Sequence, residues 1–288
     1  MGPDGVDRGG GVMIDDLGVK ASVARPVQRV VSLVPSITEA IAMTCPHVLV
    51  GCTDYCIRPT HLEEIVGHEV VRVRGTKNPD RKAIIDLRPD LVVANQEENR
   101  EHDVTLLREA GVAVWVTRID TVEEAISSLT RLFEEGFGVR CPQWLEEAGR
   151  EWREPCRDEV LSAVTAVWRD PWICVGKDTY ISDVLRRVGI ELVDLPGESR
   201  YPHVELTDIA AAHPDRVILP DEPYHFGPDD VSAFPGLDVR LVDGQKLAWY
   251  GPSMVGARRY LASALRLLTP HRRYVPQCST SPRGDMPL

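Results

Sequence analysis

The stretch Arg29-Val30-Val31-Ser32-Leu33-Val34-Pro35-Ser36-Ile37-Thr38-Glu39-Ala40 carries more structural information than any other in this chain. Val30, Val31 and Leu33 make a short apolar run of the kind that builds a buried strand. Pro35-Ser36 turns the corner, and the residues beyond read as a helix, with Ser36 and Glu39 at the spacing of a capping box. This is one β-loop-α unit. The same alternation extends from it: strand 48–52, helix 80–87, strand 90–94, helix 101–110 and strand 113–117. Short apolar strands alternating with helices predict an α/β chain with mostly parallel sheets.

Thr121 and Glu124 form a second capping box, and Val122, Ile126, Leu129 and Phe133 recur at helical spacing. That helix closes a first lobe. Pro142 opens a charged stretch, 143–164, which would reach about 33 Å if helical throughout; Pro155 within it favours a kink. A second series follows: strand 172–175, helix 179–188, helix 206–212, strand 216–219, strand 239–242 and a final helix 253–268. The phrase Leu87-Arg88-Pro89-Asp90 returns loosely as Ala212-His213-Pro214-Asp215, again between a helix and an apolar strand. The expected plan is a disordered extension 1–12, an N-terminal α/β lobe 13–141, a single long connecting helix 142–164, a C-terminal α/β lobe 165–269 and a disordered tail 270–288.

Composition narrows the function classes. The chain has 288 residues, 43% hydrophobic and 27% charged, so it can build real cores. A formal net charge of -11 argues against nucleic acid as a partner, because counterion-release binding needs clustered Lys and Arg. No apolar run approaches the roughly 20 residues that cross a bilayer, so no membrane insertion is expected. Residues 1–11 lack the apolar core of an export signal, which predicts a cytoplasmic protein, or an exported one if the true start lies upstream; Met1 and Met13 are both possible starts. Seven cysteines in an odd set without zinc-ribbon spacing read as reduced thiols. The eight histidines form no His-x-x-x-His pair, and no Gly-x-Ser-x-Gly, Walker or Gly-x-Gly-x-x-Gly motif occurs, so neither an enzyme nor a metal site is expected.

The segment at residues 29–40, followed by Val50-Gly51-Cys52-Thr53-Asp54-Tyr55, Gly75-Thr76-Lys77-Asn78-Pro79-Asp80 and Leu87-Arg88-Pro89-Asp90-Leu91-Val92, resembles the class III, helical-backbone periplasmic binding proteins, the group of cobalamin and iron-siderophore receptors. The resemblance covers about residues 15–268 in order. It implies two α/β lobes joined by one long helix and a ligand held between them. It further implies a corrinoid, siderophore or related metal chelate as the small-molecule ligand, with cobalamin the bound group if any is retained. Receptors of this family carry one exposed Glu on each lobe for docking on a permease. The matching positions here are Lys82 and Thr207, with Asp208 as a partial substitute for the second, so permease docking is doubtful. Alternatives stay open: a substrate-binding receptor of a cobalamin or siderophore ABC importer, or an enzyme of tetrapyrrole or corrinoid metabolism such as a chelatase using His203, His225 and Glu222.

In open α/β folds ligands collect beyond the carboxyl ends of strands. The loops there offer Ser36, Asp54, Tyr55, Lys77, Asn95, Glu97 and Glu98 from the first lobe and Tyr201, Glu222, Tyr224, Trp249 and Tyr250 from the second. The resemblance places Tyr55 and Tyr201 at ligand-packing aromatic positions, while Asn95 replaces a cleft Trp. Aromatic faces suit a flat macrocycle; the Glu97-Glu98-Asn99 run favours a ligand with hydrogen-bond donors or a cation. Glu97 and Glu98 read equally as carboxylates favoured at a helix start, Tyr224, His225 and Phe226 as a packed loop anchor, and Trp249 as core. Cys52 and Cys56 flank Asp54 without a zinc motif.

Overall fold

The computed structural model describes residues 10–153 and 160–266. The first lobe contains β1 (Gly10–Ile14), β2 (Lys20–Ala24), β3 (Val30–Ser32), α1 (Pro35–Thr44), β4 (Leu49–Cys52), α2 (Leu62–Val66), β5 (Val71–Arg72), β6 (Arg74–Gly75) and β7 (Asn78–Pro79). It continues through α3 (Arg81–Asp86), β8 (Leu91–Asn95), α4 (Glu101–Glu109), β9 (Val114–Thr117) and α5 (Val122–Arg131). After α6 (Gln143–Glu151) comes the second lobe: β10 (Leu161–Trp168), β11 (Ile173–Cys174), α7 (Tyr180–Arg186), β12 (Ile190–Leu192), α8 (Leu206–Ala211), β13 (Arg216–Pro220), β14 (Val239–Val242), α9 (Gly244–Ala248) and α10 (Ala257–Arg266).

Each lobe is built on one twisted sheet. The first has the order β5-β4-β3-β8-β9, all parallel. The second has the order β11-β10-β13-β14 with β12 also on β10, and only β11 is antiparallel. Strands β4, β8, β9 and β13 are buried along their full length, as helix-covered parallel strands must be. Alternation still decides which core each side chain enters. On β8, Val92 and Ala94 face a cluster private to the first lobe, while Leu91 and Val93 face the opposite way. On β10, Val164 and Ala166 enter a cluster private to the second lobe, and Ala163 and Val167 turn away from it. These outward sets meet: one continuous core runs from Val30, Ile37 and Trp115 through Leu145 and Trp152 to Ile181, Leu247 and Leu261.

Several expectations are corrected. Leu161–Trp168 is a strand, so its first four residues do not belong to a connecting helix 142–164; the helix there is α6, ending at Glu151. Residues 154–159, Pro155 among them, lie outside the described residues, as do 1–9 and the expected tail 270–288. Gly10, Gly11 and Val12, assigned to the extension, pair with Ala24, Val23 and Ser22 in the β1–β2 hairpin. Ser36 and Glu39 do not form a capping box. Val34 is the N-cap of α1, Pro35 fills the first turn, and Glu39 instead accepts from the Ser253 hydroxyl at 3.3 Å. Thr121 does cap α5, accepting from the Glu124 amide at 3.1 Å, while the Glu124 carboxylate accepts from Asp120. The helix then continues as a wider π turn through Phe137 and ends at Gly138 in the left-handed region (φ 72°).

Candidate functional site

Loops beyond the carboxyl ends of the strands of both lobes meet one another. In the first lobe the loop after β8 is held from below by two asparagines. Asn95 accepts from the Glu97 and Glu98 amides at 2.8 and 3.1 Å through Oδ1 and donates to Thr117 Oγ1 at 3.1 Å. Asn99 accepts from the Asn95 amide and donates to the Leu33 and Thr76 carbonyls. This turn, rather than a ligand, occupies the buried Asn95 side chain. Its effect is to present Glu97 and Glu98 to the second lobe. Lys77, on the tight hairpin between β6 and β7, donates to the Glu97 carbonyl at 2.5 Å.

From the second lobe, the loop after β14 supplies Trp249 and Tyr250. The Tyr250 hydroxyl donates to Glu98 Oε1 at 2.9 Å, a direct bond from lobe to lobe. Tyr250 is buried and stands edge-on to Tyr180, whose hydroxyl donates to the Trp249 carbonyl. Burial pushes the Glu98 carboxyl up to about 7; the Tyr250 hydrogen bond and Lys77 oppose that rise, while Cys56 and Glu97 add to it. Burial, and then the facing Glu98, drive Tyr250 well above the usual phenol range. Tyr201 is half-buried against the shared core and faces Glu97 and Glu98; burial raises it too. Beside it Arg200 bridges the lobes to Asp120 at 2.7 Å and reaches Glu97 at 3.7 Å.

The lobes also touch at Gly251. A Cβ on Gly251 would lie 2.8 Å from the Ser36 carbonyl oxygen, so only glycine permits this approach. Ser36 itself is buried, with no partner for its hydroxyl. Tyr55 is 65% exposed on the rim of the first lobe, lying over Gly75, and Asp54 beside it is exposed. Tyr55 and Tyr201 therefore stand on different lobes, but Tyr201 alone reaches across.

Glu222 accepts from Gln245 at 3.2 Å and from the Trp249 indole at 3.0 Å, and burial raises its carboxyl. Tyr224 packs edge-on against Trp168 and tilted on Phe226, which stacks on Trp172. These contacts make the Tyr224 loop an aromatic anchor of the second lobe's private core. His203 and His225 are exposed, and among the described residues no three His, Cys, Asp or Glu side chains are arranged to hold a metal.

Asp120 escaped the sequence reading of the site. Arg200 and Asp120 join the lobes, and nothing in the local sequence of Asp120 marks it, since it works through a residue far away in the chain. Cys56 is a further neighbour of Glu98. Its buried thiol meets the Thr38 and Thr53 hydroxyls at 3.1 Å each; burial opposes its ionisation, but hydrogen bonds from Cys52 and these hydroxyls bring it down to about 7. A cavity of about 630 Å³ opens at the flank of the cleft, between the loop after β9 and α7, bounded by Arg118, Asp120, Lys177 and Arg200. None of the twelve residues expected at the ligand lines it.

A lobe pair of this topology can be compared with known proteins. The vitamin B12-binding protein of Vibrio cholerae is 22% identical over 209 residues, covering 68% of this chain and 71% of the relative. That of Salmonella typhi is 28% identical over 199 residues, covering 66% and 71%. Among solved structures, the periplasmic vitamin B12 binding protein BtuF of Vibrio cholerae superposes with a TM-score of 0.67 at 18% identity, over 84% of this chain and 97% of that one. The chain shares the two-lobed α/β fold of these periplasmic binding proteins. Helicobacter pylori CeuE, solved with nickel and histidine, matches this chain with a TM-score of 0.73 at 15% identity, over 90% and 89% of the two chains. The periplasmic heme-binding protein BhuT, solved with two hemes, matches with 0.66 at 22%, over 82% and 97%. No family model matches the chain.

Proposed function

We propose that this protein binds a corrinoid, siderophore or related metal chelate in the cleft between its lobes and acts as a carrier or sensor. The observation that carries the reading is the lobe-to-lobe cluster of Glu98, Tyr250, Tyr180 and Tyr201. It offers polarisable aromatic surface and a carboxylate at the junction of two sheet ends, where ligands of open α/β folds collect. Relatives named for vitamin B12 and a fold neighbour holding heme support a flat chelate as the ligand class. No catalytic role is assigned to any residue. Native mass spectrometry of the purified protein, followed by absorbance titration with cyanocobalamin and hemin, tests the reading: saturable binding of either at one site supports it, and binding of neither defeats it.

A second reading, an exported receptor serving an importer, draws support from the periplasmic vitamin B12 binding protein among the fold neighbours. Two surface positions weigh against it. Lys82 is exposed at the start of α3 and paired with Asp86 at 2.6 Å, and Thr207 is exposed in the first turn of α8. Asp208, the possible substitute, accepts from the Glu205 amide as part of that helix's cap. On the carrier-or-sensor reading the protein works in the cytoplasm; cell fractionation that recovered it from the periplasm would favour the receptor instead.

A further inference from the structure

Two thiols lie under the rim loop of the first lobe. Cys52 ends β4, where its carbonyl accepts from the Val73 amide at 2.9 Å, and Cys56 closes the turn that follows, its amide donating to the Thr53 carbonyl at 3.1 Å. Both side chains are fully buried, and the two thiols are hydrogen-bonded to each other. Arg72 clasps the turn by donating to the Thr53 and Cys56 carbonyls at 3.0 and 2.9 Å, while the Thr38 and Thr53 hydroxyls each stand 3.1 Å from the Cys56 sulfur. The pair is unequal. Burial opposes ionisation of Cys56, but its hydrogen bonds bring it down to about 7, whereas the bond to Cys56, with burial, drives Cys52 up. At Cys45 and Cys174 burial acts alone and pushes each up to about 12. Since the thiolate is the nucleophile, Cys56 is the attacking sulfur and Cys52 the one placed to resolve it.

We propose that Cys52 and Cys56 are a reversible dithiol–disulfide pair oxidised by hydrogen peroxide, and that closing the bond repositions the rim loop carrying Tyr55, Ile57 and Arg58. The Cys56 thiolate attacks one peroxide oxygen, the O–O bond breaks, and the departing hydroxide takes up the proton that Cys56 lost, leaving a sulfenic acid. Cys52 then attacks the sulfenic sulfur: the S–S bond forms, the S–O bond breaks, and the second hydroxide leaves as water with the Cys52 proton. Two thiols and one peroxide give one disulfide and two waters. Tyr55 and Ile57, 65% and 59% exposed, flank Cys56, so its thiol lies beneath a single layer of exposed chain, within reach of so small an oxidant. Cys52 is fixed in the sheet, paired with Ser32 of β3 and Arg72 of β5. Cys56 is therefore the partner that moves, leaving Thr38 and Thr53 and drawing its turn with it. This chemistry needs no particular ligand in the cleft.

Differential alkylation of the full chain before and after hydrogen peroxide, read residue by residue by mass spectrometry, tests the pair. Oxidation should remove Cys52 and Cys56 together from the alkylated set, and dithiothreitol should restore both, while Cys45 and Cys174 stay thiols. In the reduced protein at neutral pH, Cys56 should alkylate at least about tenfold faster than Cys45 or Cys174. Cys52→Ser should leave a Cys56 sulfenic acid that dimedone traps, and Cys56→Ser should leave Cys52 unlabelled; thermal melts verify that each variant is folded. Hydrogen exchange at the Asp54, Cys56 and Ile57 amides should change in the oxidised protein and not in peroxide-treated Cys56→Ser. Thiols that both survive peroxide in the folded protein and pair only in urea overturn the proposal, as does dimedone labelling of Cys52 in place of Cys56. A disulfide that forms with unchanged exchange in the turn overturns the link to the rim loop.

Discussion

Gly251 shows how a single missing side chain sets the distance between the lobes. Its backbone rests on the Ser36 carbonyl, and a Cβ would come within 2.8 Å of that oxygen. Gly251→Ala should destabilise the protein by about 1–3 kcal/mol, the usual range for overpacking against backbone, and should weaken ligand binding as the cleft is forced apart; thermal denaturation and the same titrations measure both. Glu98 adds a pH dependence with a definite sign. Its carboxyl moves from 4.5 to about 7 on folding, so between those values the folded chain holds more protons than the unfolded one. Stability from this group therefore rises as pH falls from 7 towards 4.5 and is lost above 7. Glu98→Gln should flatten that slope, and melting temperatures of the two proteins from pH 5 to 8 should diverge most at the alkaline end. Both Glu98 and Tyr250 are legible as loop residues beyond strand ends. Their bond is not, because 152 positions separate them and the Asn95 turn that aims Glu98 becomes visible only when its amide partners are placed.

Among the elements, the helix starts are held from outside in ways local patterning does not reveal. Glu151, at the end of α6, accepts from the Gly256 and Arg258 amides at 2.7 and 3.1 Å and so caps α10 from another helix. Asp183 on α7 does the same for α5, accepting from the Val122 amide at 2.9 Å while bonded to Arg186 and Arg187. Glu151→Ala should cost about 1–2 kcal/mol, the upper range for a lost N-cap, and circular dichroism with urea denaturation would detect it; an unchanged midpoint would show that the cap is dispensable. The strands β3, β4, β8, β9, β13 and β14 were legible because each is a short apolar run beside a turn. Leu161–Trp168 was not. Its run of Ala, Val and Thr fits either period, and what settles it is pairing: β12 and β11 at its two ends and β13 along its middle fix an extended backbone. The three-residue β12 is too short to announce itself at all.

At the scale of the whole molecule, the division into two lobes follows from the repeated β/α alternation, and the fold neighbours carry the same plan. Docking belongs to this scale as well. Complementary charge governs association rate and orientation, so the unmodified protein should bind a reconstituted cobalamin-type permease weakly. Lys82→Glu with Thr207→Glu should raise that affinity in a salt-sensitive way, since exposed pairs are screened; tight binding without the substitutions would defeat this expectation. The shared core was the part no pattern disclosed, because hydrophobic period tells which face is apolar and not whose face it meets. That core has a thermodynamic corollary. Side chains from β3, α1 and α5 pack in one cluster with those from α6, α7 and α10, and Trp152, just past α6, donates to the Met254 carbonyl at 3.0 Å, so each half loses the shared part of its interior once the other melts. Calorimetry of this protein should therefore show one endotherm whose van't Hoff and calorimetric enthalpies agree, and neither half should fold when produced alone.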